Sequence, residues 1–237
     1  MTFNERFYLN FIKDARWHYL TDGLLVTLEI TFFSVLLGIV IGVVIAGIRS
    51  THDKIINDTK SPFNRFILKF FNFIANIYLT VIRGTPVVVQ LMIAYYIIFA
   101  TSNNKVLVAV LAFGINSGAY VAEIVRSGIM SVDQGQTEAG RSLGFNYVQT
   151  MFYIVLPQAF KNILPALANE FIVLLKETSV CGYVALQDLT RGGDIIRGRT
   201  YDAFFPLLAV AGIYLVLVIV FTKFVDILER RLRKSER

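Results

Sequence analysis

Residues 24–48 read LLVTLEITFFSVLLGIVIGVVIAGI, a stretch in which Glu29 is the one charged side chain. At about 1.5 Å of rise per residue it extends roughly 37 Å as a helix, enough to cross a hydrocarbon core with some tilt. The solvent this chain expects is therefore lipid. The remaining composition agrees, since 55% of the 237 residues are hydrophobic and 17% charged, too apolar for a soluble or disordered chain. Within the stretch Gly38 and Gly42 form a GxxxG pair, with Gly47 beyond, which predicts close approach by another helix of the same chain.

Working outward, residues 70–104 carry only Arg83, but exceed one crossing and are interrupted by Gly84-Thr85-Pro86, predicting a kinked segment. Residues 106–130 form a third span, with Asn116, Glu123 and Arg126 among apolar positions and a second small pair at Gly114 and Gly118. Residues 158–176 are interrupted by Lys161 and Glu170, yet Leu164, Leu167, Phe171, Leu174 and Leu175 recur at helical spacing, which suits a helix partly facing protein or water. Residues 204–222 are uncharged and form the last span. The expected fold is an all-α integral membrane protein of about five transmembrane helices, one domain over 1–237, with no repeat or linker.

Five crossings put the termini on opposite sides. With 49–69, 126–161 and 223–237 inside, the inner segments hold 14 Lys plus Arg and the outer segments 7, so the N-terminus is expected outside and the C-terminus in the cytoplasm. The first twenty residues lack the layout of a cleaved signal, leaving the first span as the targeting signal. Net charge of +6 is accounted for by this sidedness and implies no nucleic acid. Cys181 is a lone cysteine, and with only His18 and His52 besides, no metal-ligand cluster has recognisable spacing. No cofactor is implied.

The connection 131–157 is unexpectedly long and helical in composition. Asp133 and Gln136 have N-cap-like spacing, 137–143 reads as a short polar helix, Gly144 as its stop, and Asn146 with Gln149 as a restart whose Tyr147, Met151 and Ile154 share a face. By composition this is either a solvated interfacial helix pair or a knob presented to a soluble partner.

Here Glu138-Ala139-Gly140, Gly144, Ile154, Leu156 and Pro157 resemble the EAA loop of bacterial ABC importer permeases, EAAxxxG followed by nine residues and IxLP. Every spacing fits, and Gly140 stands where the pattern has Ala. The flanking chain is similar to the polar amino acid permeases of the histidine, glutamine and arginine type. The features carrying that similarity are Arg83-Gly84-Thr85-Pro86 with Gln90, Asn116-Ser117-Gly118-Ala119-Tyr120 with Glu123, Leu164-Pro165 with Asn169, and Lys176-Glu177-Thr178-Ser179. The resemblance implies a five-helix subunit of the bacterial cell membrane that pairs with a second permease, a copy of itself or a sister chain. It also implies two ATP-binding cassette subunits held through the EAA loop, and an extracytoplasmic amino-acid-binding protein that delivers an amino acid substrate.

Under that resemblance Glu138 meets a basic groove on the ATPase; otherwise it caps and solubilises its helix. Glu170, an ionisable residue midway along a span, is a substrate candidate for an ammonium or cationic side chain, with Asn169 for a carboxylate; the alternative is a structural pair with Lys161, Arg126 or Lys176. Asn116 is either a third substrate contact or an interhelical hydrogen bond. Glu123 and Arg126, three apart, predict a local ion pair. Gly192-Gly193-Asp194 and Tyr201-Asp202 echo intramembrane aspartyl protease motifs, but their aspartates lie eight residues apart in one charged loop. No P-loop, HExxH or GxSxG is present, so no catalytic residue is expected and ATP must be hydrolysed elsewhere. An ion-coupled carrier acting alone predicts inverted repeats, which the sequence lacks. A pathway-free membrane anchor would leave Glu170 and Asn169 without a role.

Overall fold

The computed structural model describes residues 2–56 and 60–234, and among them the regular structure is entirely helical. The helices are α1 (Phe3–Phe7), α2 (His18–Ile55), α3 (Pro62–Gly84), α4 (Val87–Ile93), α5 (Lys105–Met130), α6 (Gln134–Ser142), α7 (Tyr147–Thr150), α8 (Leu156–Glu177), α9 (Leu189–Thr200) and α10 (Phe204–Lys234). Wider helical turns prolong α1 to Ile12 and α4 to Ile98, and join α7 to α8. Five helical stretches are long and apolar enough to cross a membrane: His18–Ile55, Pro62–Gly84, Lys105–Met130, Tyr147–Val184 and Phe204–Leu232.

The second crossing begins earlier than its charge pattern predicts. Instead of one kinked segment from residue 70, α3 starts at Pro62 and is itself of spanning length, and the shorter apolar helix Val87–Ile98 follows. Arg65 and Lys69 are tolerated because Phe63, Phe66, Phe70 and Phe73 recur along an exposed stripe of the same helix. The break falls where Pro86, extended at φ −64° and ψ 137°, lacks an N–H and disfavours helix in the residue before it.

Contacts divide the chain into two compact units, each assembled from separate stretches of sequence: residues up to 37, 85–115 and 171–222, and residues 38–84, 116–170 and from 223 onward. In the second unit Gly38 of the first small-residue pair and Gly118 of the second meet within the chain. A Cβ on Gly38 would lie 2.9 Å from the Ser117 hydroxyl, and one on Gly118 2.8 Å from Ile41, so α2 and α5 touch backbone to backbone. Lipid offers no hydrophobic drive between helices, and such close dispersion contact takes its place. Further along, Ala46, Val121, Val125, Ile129, Val155, Ala159 and Ile163 form a buried cluster joining α2, α5 and the start of α8.

In the first unit the residues expected to form a charged loop, 178–204, instead contain α9, packed through Leu189 and Ile196 against Leu20 and Val210. Gly192 sits against the Tyr19 carbonyl, and the Thr27 hydroxyl accepts from the Leu189 amide at 3.1 Å. Cys181 is wholly buried here. The N-terminal helix is capped reciprocally by Thr2 and Glu5 and held by the Arg6 guanidinium, which forks onto Asp202 at 2.7 and 3.0 Å.

Candidate functional site

In the helix pair between α5 and α8, both ends of α6 and the start of α7 are closed by local devices, and α7 runs on through a wider turn into α8. The Asp133 carboxylate accepts from the Gly135 amide at 2.7 Å, so α6 begins at Gln134, three residues before the expected start. At its end the Phe145 amide donates to the Gly140 carbonyl and the Gly144 amide to the Arg141 carbonyl. This double closure needs a left-handed residue, and Gly144 supplies it at φ +85°. Asn146 and Gln149 then exchange side-chain and backbone bonds, both at 2.9 Å, to start α7.

The result is a compact knob. Glu138 and Ala139 are exposed, as are Gly144 and Pro157; Leu143, Val148, Phe152 and Tyr153 also stand in the open. Gly140 is buried, and a Cβ there would lie 2.9 Å from both Ile154 Cδ1 and Thr150 Cγ2, so the small residue lets α6 lie on the turn that follows α7. Ile154 is half-buried, and Leu156 packs on the cluster of α2, α5 and α8. Two side-chain bonds latch the knob to α8: Gln158 donates to Gln136 at 3.2 Å and Asn162 to the Ser131 hydroxyl at 2.8 Å.

Among the candidates inside the spans, Asn116 and Glu170 are buried, whereas Asn169 is exposed, as expected of neighbours about 100° apart around a helix. The Ser117 hydroxyl donates to the Glu170 carboxylate at 2.8 Å, so α5 and α8 meet through a polar contact deep in the protein.

Glu123 and Arg126 do not form the expected local pair. Glu123 Oε1 lies 3.4 Å from Arg49 Nη1 and 3.3 Å from Arg83 Nη1, while Arg126 reaches Asp53 at 3.1 Å. A rigid i,i+3 spacing brings the pair near each other only if their rotamers converge, and partners on α2 and α3 lie within easier reach. Sequence reasoning therefore missed the three-helix cluster of Arg49, Arg83 and Glu123. Its signal was present in α5, where Asn116, Tyr120, Glu123, Ser127 and Ser131 recur at spacings of four and three, a polar stripe on an otherwise apolar helix. Two cavities open along this stripe. One, of 440 Å³, is lined by Arg49, Asn76, Thr80, Arg83, Tyr120 and Glu123; the other, of 430 Å³, by Glu123, Ser127, Ser131 and Asn162.

The two aspartates of the protease-like motifs are consumed by ion pairs. Asp194 is held below the usual carboxylate range by Arg197 and Arg191, and Asp202 is drawn down to about 2 by the Arg6 fork, aided by Asn10. Asp188 behaves oppositely. It is wholly buried, and burial pushes its carboxyl up to about 6 although the Thr190 and Arg191 amides donate to it at 3.0 and 3.1 Å.

Residues 62–234 match the family described as the inner membrane component of binding-protein-dependent transport systems. The arginine transport system permease protein ArtQ of Bacillus subtilis is 37% identical over 221 residues, covering 92% of this chain and 94% of that protein. A putative glutamine transport system permease protein, GlnP of Rickettsia prowazekii, is 36% identical over 90% of this chain and 93% of its own length. Among solved structures, an amino acid ABC transporter crystallised with histidines superposes with a TM-score of 0.81 at 41% identity, over 93% of this chain and 98% of that one. The MetNI methionine ABC transporter in an inward-facing form shares the fold at 20% identity, with a TM-score of 0.75.

Proposed function

This chain belongs to the family of inner membrane components of binding-protein-dependent transport systems, and on that premise we propose that it is the permease subunit of an ATP-driven importer of polar or basic amino acids. The arginine and glutamine permeases it resembles along almost their whole length support that substrate class. The observation that carries the mechanism is the knob of α6 and α7, a locally closed helix pair that leaves Glu138 and Ala139 exposed while its base is latched to α8.

Members of this family work with ATPase subunits and binding proteins. In the proposed assembly two ATP-binding cassette subunits each take up one such knob, Glu138 facing a basic groove. A second permease, identical or sister, completes the pathway, and a binding protein delivers amino acid from outside. Closure of the ATPases on ATP pushes α6 and α7, and the push reaches α5 and α8 through Gly140, Leu156 and the two latches. The permease itself contributes no hydrolysis. The Ser117 and Glu170 contact lies on the α5 and α8 faces that this motion shifts, which suits Glu170, Asn116 and Asn169 as transient contacts for a substrate ammonium and carboxylate.

The carrier acting without ATPase is not favoured. Uptake of radiolabelled L-arginine or L-glutamine into proteoliposomes should require the permease, its ATPase and the binding protein together; uptake that persists without the ATPase would overturn the reading.

The sidedness of Lys and Arg supports an outer N-terminus and a cytoplasmic C-terminus. Cys181 cannot report on this because it is buried, and Ser235, the natural inner control by sequence, lies outside the described residues. With Cys181→Ser as background, Tyr201→Cys should be labelled by an impermeant maleimide in intact cells, since Tyr201 is 96% exposed, and Leu143→Cys should not. The reverse pattern would invert the orientation.

A further inference from the structure

The helical run of the second crossing is longer than one passage needs. α3 alone, of 23 residues, measures about 34 Å against a hydrocarbon core of about 30 Å, and the apolar helix Val87–Ile98 continues the same passage. Packing assigns the surplus to the first half of α3, where no residue from Pro62 to Ile74 is buried; the first buried side chains are Ala75 and Leu79. This half has two unlike faces. Phe63, Phe66, Phe70 and Phe73 are exposed at helical spacing, with Phe66 stacked on Phe70 at 6.3 Å between ring centroids. Arg65 and Lys69, also exposed, stand four positions apart on the other face, where like charges repel. No acid offsets them: no described residue forms an ion pair with either, and the sequence from Lys60 to Ala122 holds no Asp or Glu.

From this geometry we propose that the first half of α3 is a binding site for an anionic phospholipid at the inner membrane surface, its headgroup phosphate bridging Arg65 and Lys69 and its acyl chains lying along Phe63, Phe66, Phe70 and Phe73. Charge complementarity selects the occupant. Side chains four apart on a helix have Cβ atoms about 6 Å from each other, so one phosphate reaches both cations and removes their repulsion. The aromatic stripe beside them needs an apolar body, and a phospholipid carries both parts in one molecule. A soluble acidic partner would satisfy the cations and leave four phenylalanine rings in water. Lys60, two residues before the helix, adds a third positive charge at the same end. The site uses the orientation proposed above only to choose the leaflet, and it is independent of which amino acid is carried.

The test is fluorescence quenching by brominated lipid. Trp17 is the single tryptophan, so the full chain carrying Trp17→Phe and Phe66→Trp reports from the stripe alone. It is reconstituted in symmetric bilayers of phosphatidylcholine and phosphatidylglycerol, with the acyl chains of one lipid brominated at a time. Phosphatidylglycerol should bind beside this indole about threefold or more tightly than phosphatidylcholine, and Arg65→Gln with Lys69→Gln should bring that ratio to about one. Phe70→Trp, on the same stripe, gives the same reading where the first reporter does not reconstitute. Equal quenching by the two lipids before the arginine and lysine are changed would overturn the site, as would a preference that survives their loss. Quenching by neither lipid would mean that protein, a second copy of the chain or another partner, covers the stripe, and would overturn it too. Labelling of Leu143→Cys rather than Tyr201→Cys in intact cells would leave the lipid preference standing and overturn its placement at the inner surface.

Discussion

Two connections between spans, residues 131–157 and 178–204, have the same length and a similarly polar look, yet they fold for opposite reasons. In the first, three of the four helix ends are closed by a neighbour in sequence: Asp133 at the start of α6, Gly144 at its end, and Asn146 with Gln149 at the start of α7. Most of its side chains remain exposed. In the second, α9 carries two adjacent glycines and three arginines, a weak helix former on its own. It persists because Gly192 lies on the Tyr19 carbonyl, Leu189 bonds Thr27 and Ile196 is buried against Leu20 and Val210. One connection is a knob shaped by its own sequence neighbours and latched at its base to α8. The other is packed into its unit by residues distant along the chain.

The contrast breaks first at Gly192. Gly192→Ala places a methyl group into the Tyr19 carbonyl, a backbone atom that cannot step aside, and should cost more than about 3 kcal/mol. The expected result is loss of folded complex by yield and by thermal melting, whereas Gly144→Ala in the knob should cost only about 1 kcal/mol of backbone strain. Equal effects would mean that α9 is not fixed by that contact.

Next is pH. The Asp188 carboxyl titrates near 6 in the folded protein against about 4 when unfolded, so the folded state binds the proton more tightly between those values. Stability from this group is present below pH 4, falls as pH rises to 6, and is then flat, a change on the order of 3 kcal/mol. Asp188→Asn keeps a capping oxygen and should abolish that slope in melting curves taken from pH 4 to 7. Asp202 works in reverse: its stabilisation by Arg6 is lost as pH falls from about 4 to about 2. An unchanged slope in Asp188→Asn would show that burial of this carboxyl does not govern the unit.

Glu138→Lys sharpens the other side. Because Glu138 is exposed, melting should shift by less than about 0.5 kcal/mol, while ATP-driven uptake should fall tenfold or more through lost engagement of the ATPase. Full uptake by an assembled variant would end the coupling role. The smallest effect is expected from Gly140→Ala, which restores the residue of the EAA pattern. Its Cβ would meet the tip of Ile154, which can turn aside, and both branches of the stiffer, buried Thr150, so stability should fall by about 1 kcal/mol or less and uptake should persist. A large loss would show that the knob is packed as tightly as α9.

The spans, the knob and its caps were legible in the sequence because their determinants are local. A run of apolar residues of bilayer length has one low-energy fate, and an Asx or glycine device acts within four or five residues of chain. Gly38, Gly42, Gly114 and Gly118 likewise announced that helices would come close. What the sequence left open depends on which residues, distant along the chain, share a neighbourhood. Glu123 had Arg126 three positions away, and tertiary structure gave it Arg49 and Arg83 instead, turning an expected local pair into the charged wall of a cavity. Residues 178–204 looked like loop because Gly192 and Gly193 are unfavourable within a helix, and although Asp188 caps its start locally, α9 persists only where the Tyr19 backbone, Thr27 and Val210 supply packing and a further hydrogen bond. Local chemistry is readable from spacing. The partners of a buried charge or a bare backbone are chosen by proximity in space, which spacing along the chain does not encode.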